Sequence, residues 1–314
     1  MGGQQRILVI GGVNMDMMVQ TPRLPRPGET VAGGRFVLAP GGKGANQAIA
    51  AARLGAPVRF IGKVGRDQFG DEAVANFQRH GVDVYGLARD ATEPSGIALI
   101  LVDAQGENAI AQAPGANHRV TAAEVEALAP LFEGVAMVVG QFEVPAEATL
   151  AAFRLGRACG ARTVLNAAPA VPLGGPWLDL VDTLIVNEGE AEVVGLAAGL
   201  HAATPEGWAD GLHGLGYPQV ILTLGRQGAY AVTADSQVHV PAFAVEAVDT
   251  TGAGDAFVGG LVVALAERQP MEPAVRLGCA VGALATQAVG PQESLPDRAM
   301  AQRLVERAAT SLAA

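Results

Sequence analysis

Short apolar runs alternate with helix-like stretches through most of this chain, and that alternation restricts the fold more than any other feature. Arg6-Ile7-Leu8-Val9-Ile10, Val58-Arg59-Phe60-Ile61, Val135-Ala136-Met137-Val138-Val139, Thr163-Val164-Leu165-Asn166, Thr183-Leu184-Ile185-Val186-Asn187 and Val220-Ile221-Leu222-Thr223-Leu224 read as strands buried on both faces. Residues 68–79, 121–128, 146–159, 188–195 and 205–214 read as the helices between them. Strands joined by helices are βαβ units, so the expected class is α/β: a mainly parallel central sheet with helices on both faces. A late hairpin is expected over 228–232 and 238–240, and helices over 253–267, 273–287 and 297–309 end the chain.

Two stretches fall outside the alternation. A Pro-rich turn, Thr21-Pro22-Arg23-Leu24-Pro25-Arg26-Pro27-Gly28-Glu29-Thr30, separates two short strand-like runs. Ile97-Ala98-Leu99-Ile100-Leu101-Val102 and Asn108-Ala109-Ile110-Ala111 flank a turn at 103–107 and read as a hairpin. Together they predict a small β-sheet lid, built from about 15–40 and 95–113, on a single domain spanning 1–314. An apolar outer face on such a lid favours pairing with a second copy, hence a homodimer through the lid sheets.

The balance of residue types excludes several roles. Half the residues are apolar and 17% are charged, enough for a large core. A net charge of −10 argues against nucleic acid as a partner, since phosphate backbones call for excess Lys and Arg. No apolar run reaches the roughly 18 residues of a membrane span. Residues 1–6 move straight into a strand pattern without the apolar segment of a signal peptide. The two cysteines, Cys159 and Cys279, lack metal-type spacing and read as reduced core thiols, which fits a cytoplasmic protein. The five histidines show no ligand-like spacing.

Chemistry concentrates in one late stretch, Asp249-Thr250-Thr251-Gly252-Ala253-Gly254-Asp255-Ala256-Phe257, directly before an apolar helical segment. The first N–H groups of a helix lack internal partners and carry the positive end of its dipole. Gly252, Ala253 and Gly254 leave those amides open to an anion. A carboxylate beside them repels phosphate, yet suits a base that takes a proton from a hydroxyl attacking a phosphoryl group. The competing reading is a Gly-rich loop with Asp255 as a first-turn cap. Gly41-Gly42-Lys43-Gly44-Ala45-Asn46-Gln47 likewise opens a helix over 48–54. It lacks the Walker spacing of a phosphate loop; alternatively, its glycines admit a small polar ligand with Asn46 as a bidentate partner. Asn14 and Asp16 follow the first strand, where open α/β sheets bind ligands. Gln141, Glu143, Asn187, Glu190 and the 225–228 loop follow later strands at the same edge.

The two glycine-rich stretches resemble the two signature motifs of the ribokinase-like carbohydrate kinase family. Asn14-Met15-Asp16, Pro27-Gly28-Glu29-Thr30, Gly115-Ala116-Asn117, Asn187-Glu188-Gly189-Glu190 and Thr223-Leu224-Gly225 fall in that family's order, and the match covers essentially the whole chain. The resemblance implies transfer of a phosphoryl group from ATP to the 5-hydroxyl of D-ribose, with magnesium and a potassium activator. It implies Asp255 as base and Gly252, Ala253 and Gly254 as anion hole. Asn14, Asp16, Gly42, Lys43, Asn46 and Glu143 would hold the sugar. Asn187, Thr223, Leu224, Gly225, Arg226, Gln227, Gly228 and Gly254 would hold the nucleotide, with Glu190 tied to magnesium and phosphate. Asp249, Thr251, Ala285, Ala288, Gly290 and Ser294 would hold the monovalent cation, mostly by carbonyl oxygens.

Rival readings within the enzyme class are kinases of 2-deoxyribose, a keto-sugar acid or a nucleoside. An acidic substrate calls for an extra Arg near the sugar and a nucleoside for an aromatic pocket under the lid; neither is evident. A non-catalytic sugar-binding protein gains nothing from a carboxylate aimed at a phosphate.

Overall fold

A computed structural model describes residues 5–105 and 107–312. Residues 1–4, where no signal peptide is expected, and Gly106 of the expected 103–107 turn lie outside the described residues. In chain order the elements are β1 Arg6–Ile10, β2 Asn14–Gln20, β3 Arg35–Gly41, α1 Lys43–Arg53, β4 Val58–Val64, α2 Gln68–Arg79, β5 Asp83–Arg89, β6 Gly96–Val102 and β7 Asn108–Ala113. Then follow α3 Ala122–Ala127, β8 Val135–Gly140, α4 Ala146–Ala158, β9 Arg162–Asn166, α5 Pro176–Leu180, β10 Thr183–Asn187, α6 Glu188–Ala197, α7 Pro205–Gly214 and β11 Gln219–Thr223. The remainder is β12 Ala229–Thr233, β13 Gln237–Val240, α8 Ala253–Ala266, α9 Met271–Ala285 and α10 Arg298–Leu312.

The large sheet runs β13-β12-β11-β10-β9-β8-β1-β4-β5, parallel except for the hairpin strands β12 and β13. Alternate residues of each strand feed opposite cores, as a doubly covered sheet requires. Ile7, Val9, Val139, Ile185 and Ile221 pack under α1, α2, α8, α9 and α10. Leu8, Ile10, Val138, Leu184 and Leu222 pack under α3, α4, α6 and α7. Each fully buried aliphatic side chain contributes about 2 kcal/mol of transfer free energy. Helix α8 packs against α1, α9 and the sheet, and every residue from Asp255 to Ala266 is buried. That explains a helix apolar on all sides. From β1 the chain winds outward to β4 and β5 on one side, and β8 to β11 on the other. The strand order therefore reverses between β1 and β8, and the crevice beyond their C-terminal ends is the switch point of the sheet.

A separate sheet runs β3-β2-β6-β7. Its register puts Met17 beside Leu38 and Leu99, and Val19 beside Phe36 and Leu101. With Ala111 opposite Leu99, one face of this sheet is continuously apolar, and Phe36, Leu38 and Leu99 are 60%, 46% and 48% exposed. The opposite face carries Asn14 and Asp16 at the start of β2.

Three elements differ from expectation. Strand β5 is half-exposed and bracketed by Asp83 and Arg89, so it lacks the apolar run of an inner strand. Helix α5 is five residues long, too short to show a period. Helix α1 begins at Lys43, so Gly44 to Gln47 are helical rather than entry loop. One thiol is also corrected: Cys279 is buried, but Cys159 is exposed at the end of α4.

Candidate functional site

Helix α8 starts at the switch point through Gly252, which sits in the left-handed region at φ 76° where a side chain would be strained. The Ala253 N–H turns back to the Thr250 carbonyl at 3.2 Å, while among the described residues the Gly254 and Asp255 N–H groups have no partner. Open amides at a helix start are a place for an anion. Asp255 is 7% exposed, and both carboxylate oxygens are held. Asn46 Nδ2 donates to Oδ2 at 2.9 Å and Gln47 Nε2 to Oδ1 at 2.9 Å, both from the first turn of α1. The Gln47 amide is itself fixed, donating to Asn166 Oδ1 at 3.0 Å and accepting from Gln141 Nε2. A carboxylate so placed can take a proton from a hydroxyl while the neighbouring amides face the group that hydroxyl attacks.

Around it stand the other residues read from the sequence. Asn14 is oriented by Asn117, whose Nδ2 donates to Asn14 Oδ1 at 2.9 Å and to the Val13 carbonyl at 3.0 Å. Asn117 Oδ1 takes the Val13 N–H at 2.9 Å. Asn14 is thereby left with its NH2 as the free end, a donor for a ligand hydroxyl. Asp16 lies over Gly41, where a Cβ would come within 2.2 Å of its carboxyl oxygen. Glu143 Oε2 accepts the Lys43 N–H at 2.8 Å, and Gln112 of the small sheet reaches Glu143 Oε1 at 3.4 Å.

The electrostatics are those of an undercompensated acidic cleft. Burial, then Glu143, Asp255 and Glu293, push the Asp16 carboxyl up to about 7. Burial also raises Glu143 against the opposing Lys43 ammonium, and raises Glu190 despite its bond from the Asn187 N–H. Burial alone would lower Lys43, but Asp255, Glu143 and Glu190 hold its ammonium above the ordinary range. These mutual influences place Lys43, Glu143, Glu190 and Asp255 within one field. Three carboxylates share one ammonium, with Asp16 close by, which favours a ligand that brings cations.

The residues expected to hold a nucleotide line the same sheet edge farther along. Asn187 and Thr223 are register partners at the ends of β10 and β11. Asn187 caps α6 in a reciprocal box with Glu190, at 2.8 and 2.9 Å. A single turn of 3-10 helix, Gly225–Gln227, follows Leu224, with Arg226 exposed and Gly228 entering β12. Strand β11 is four strands from β1, about 19 Å at normal spacing, so this loop lies well to one side of the switch point along the sheet edge.

The expected cation residues are partly brought together. Asp249 accepts the Thr251 N–H at 2.9 Å and the Gly290 N–H at 3.1 Å, and the Ser294 N–H reaches the Gly290 carbonyl at 3.4 Å. Among the described residues, Ser294 Oγ is buried without a partner. Ala285 precedes Thr286, whose carbonyl takes the Asp249 N–H at 3.0 Å, and Ala288 follows two residues on, but among the described residues no hydrogen bond of their own ties them to Asp249. Among the described residues, no three His, Cys, Asp or Glu side chains gather as a metal cage, and no helix is long and apolar enough to cross a membrane. Two surface clefts, about 420 Å³ beside Met300 and about 760 Å³ beside Arg26, contain none of the site residues.

Sequence reasoning missed several residues that organise this site. Gln47 stood in the motif beside Asn46 but was given no role. Asn76 and Asn166 are lone amides in unremarkable surroundings, and Gln292 lies between the expected cation residues Gly290 and Ser294 without a role of its own; their contacts span 216, 119 and 246 positions. No local spacing signals such pairings.

The chain matches the model of the pfkB family carbohydrate kinases over residues 4–298. It is 34% identical to a ribokinase of Haemophilus influenzae over 308 residues, covering 97% of this chain and 100% of that one. It is also 34% identical to a deoxyribokinase of Salmonella typhi over 294 residues, 92% and 95% respectively. The solved structure of Arabidopsis thaliana ribokinase complexed with ribose and ATP superposes with a TM-score of 0.85 at 28% identity, covering 97% of this chain and 99% of that one. A doubly wound sheet, a separate four-stranded sheet and a helix-borne carboxylate at the switch point accord with that likeness: the chain belongs to the pfkB family of carbohydrate kinases.

Proposed function

We propose that this enzyme transfers the γ-phosphoryl group of ATP to the 5-hydroxyl of D-ribose. The observation that carries the reading is Asp255: a buried carboxylate, oriented by Asn46 and Gln47, beside the open Gly254 amide at the start of α8. Ribose is uncharged and rich in hydroxyls, which suits the donors of Asn14 and Lys43 and the acceptors Asp16 and Glu143 around it. In the transfer, the 5-hydroxyl gives its proton to Asp255 as its oxygen bonds to the γ-phosphorus. The bond from that phosphorus to the bridging oxygen breaks, and ADP leaves. Asn46 and Gln47 hold the base, while the amides at the mouth of α8 and the Lys43 ammonium face the charge on the transferring group. The 223–228 loop and Asn187 take the nucleotide.

The acidity of the cleft fits a magnesium ion arriving with the triphosphate near Glu190, and the orphaned Ser294 hydroxyl beside Asp249 fits a potassium ion held with Thr251, Gly290 and the Ala285 and Ala288 carbonyls. When bound, both ions supply positive charge against that developing on the phosphoryl oxygens.

Residues 1–314 act as one domain in this reading, and the small sheet is a lid whose inner face brings Asn14 and Asp16 to the sugar. Its apolar outer face, with Phe36, Leu38 and Leu99 exposed, supports a homodimer formed lid to lid. Two unpaired thiols fit the reducing cytoplasm.

The test is a screen of ribose, 2-deoxyribose, keto-sugar acids and nucleosides with ATP and magnesium, run on the wild type and on Asp255→Asn. Ribose turnover that is lost in the variant while ribose still binds supports the assignment. Turnover retained by Asp255→Asn refutes the base, and preference for 2-deoxyribose refutes the sugar.

A further inference from the structure

Asp255 is the end of a chain of side-chain amides that begins on the protein surface. Arg79 Nη2 donates to Asn76 Oδ1 at 3.1 Å, and Asn76 Nδ2 donates to Gln292 Oε1. Gln292 Nε2 donates to Asn46 Oδ1 at 2.8 Å, and Asn46 Nδ2 donates to Asp255 Oδ2 at 2.9 Å. The four contacts join α2, the turn before α10, α1 and α8.

The direction of this chain is fixed at both ends. A guanidinium only donates and an ionised carboxylate only accepts, so each amide between them has one orientation that satisfies both neighbours. Turning any one of them would set oxygen against oxygen on one side and NH2 against NH2 on the other. Water cannot relieve the mismatch, because Asn76, Gln292 and Asn46 are 6%, 3% and 5% exposed. Bonds pointing one way also polarise one another, and here they point from a cation to the carboxylate. The Gln292 backbone is pinned in turn: its carbonyl accepts the Leu295 N–H at 3.3 Å and Arg53 Nη1 at 3.4 Å.

We infer that Gln292 is a positioning residue for phosphoryl transfer, the central link of a one-way relay from Arg79 that keeps the N–H of Asn46, and not its carbonyl, facing Asp255. This rests on reading Asp255 as the base. Asn46 is the only direct contact between the relay and that base, so Gln292 acts through it. Three amide-bearing side chains at the core of an aliphatic protein serve this orientation, where apolar residues would pack without an alignment requirement.

The experiment is steady-state kinetics, with ribose binding by calorimetry, on Gln292→Glu, Gln292→Leu, Arg79→Met and the Arg79→Met/Gln292→Leu double variant. The Arg79 side chain is 56% exposed and its other partner is Glu72 on the surface, so its replacement leaves the fold intact. Gln292→Glu keeps the shape but sets a carboxylate against Asn46 Oδ1, which turns the Asn46 amide. Its kcat should fall by at least about tenfold, ribose affinity should fall with it, and KM for ATP should hold. Gln292→Leu should fall less, because nothing then forces the turn. Arg79→Met should lower kcat about threefold in the wild-type background and not at all in Gln292→Leu, the mark of two links in one chain. Wild-type kcat in Gln292→Glu, or an equal Arg79→Met effect in both backgrounds, overturns the relay. If Gln292→Leu does not fold, unchanged kcat in Arg79→Met decides against it. Turnover retained by Asp255→Asn would instead remove the base itself, and the two failures are distinct.

Discussion

Replacing Asp16 by Asn measures the electrostatic load carried by the cleft. Burial and the neighbouring Glu143, Asp255 and Glu293 move the Asp16 carboxyl from 3.8 to about 7 in the folded chain. The unfolded chain releases that proton near the ordinary value, so between the two the native state binds more protons and stability falls as pH rises. At about 1.4 kcal/mol per pH unit the interval is worth at most about 4 kcal/mol, and water reaching a partly exposed carboxyl reduces it to the order of 2 kcal/mol. Asn carries no proton to lose. In sugar-free buffer, denaturant titration should find Asp16→Asn more stable by about 2 kcal/mol at about pH 8, with the advantage shrinking toward zero as pH falls to about 4, the ordinary carboxylate value. Comparing the two proteins at each pH cancels the parallel contributions of Glu143 and Glu190. Ionised Asp16 is also the stronger acceptor for a hydroxyl, so ribose affinity should climb over the same interval in the wild type and stay flat in the variant. Stability curves that run parallel from acid to alkaline pH would refute the account.

Gly41→Ala puts a methyl where the Asp16 carboxyl now lies, and that side chain can swing away. Calorimetry should show ribose affinity down by about tenfold or more with the melting midpoint and ATP affinity nearly unchanged. Asp249→Ala removes the acceptor for the Thr251 and Gly290 N–H groups, so activity measured with potassium and with a large organic cation at equal ionic strength should converge. A Phe36→Asp/Leu99→Asp pair charges the apolar face of the small sheet. Sedimentation should shift the protein to a monomer, and a monomeric wild type would remove the dimer from the account.

Period and residue type made the framework readable: strands buried on both faces need continuous apolar runs, and β1, β8, β10 and β11 have them. Strand β5 escaped because one edge of a sheet tolerates Asp83 and Tyr85 in the open. The Asp255 loop was legible because chemistry crowds there: small residues, a carboxylate and a helix start within a few positions. Lys43 and Asn46 were legible for the same reason. The supports were not. Asn117 stood out only as part of a short motif, with no sign that it clamps Asn14 across 103 positions, and Gln292 reaches Asn46 across 246. Such partners are chosen by the folded chain, and a lone Gln or Asn carries no local mark of the amide it will face.

Asn14 and Asp16 ride on the first strand of the small sheet, whereas Lys43, Asn46 and Asp255 belong to the helices of the large one. On the proposed reading, two of the polar groups that would meet the sugar are thus mounted on one body and three on another. A pentose bound between them would act as a rivet, and its hydroxyl pattern would be read partly as the ability to hold two pieces of protein at a fixed separation. A sugar lacking one hydroxyl loses a contact and also slackens the joint, so discrimination should show in turnover as well as in affinity.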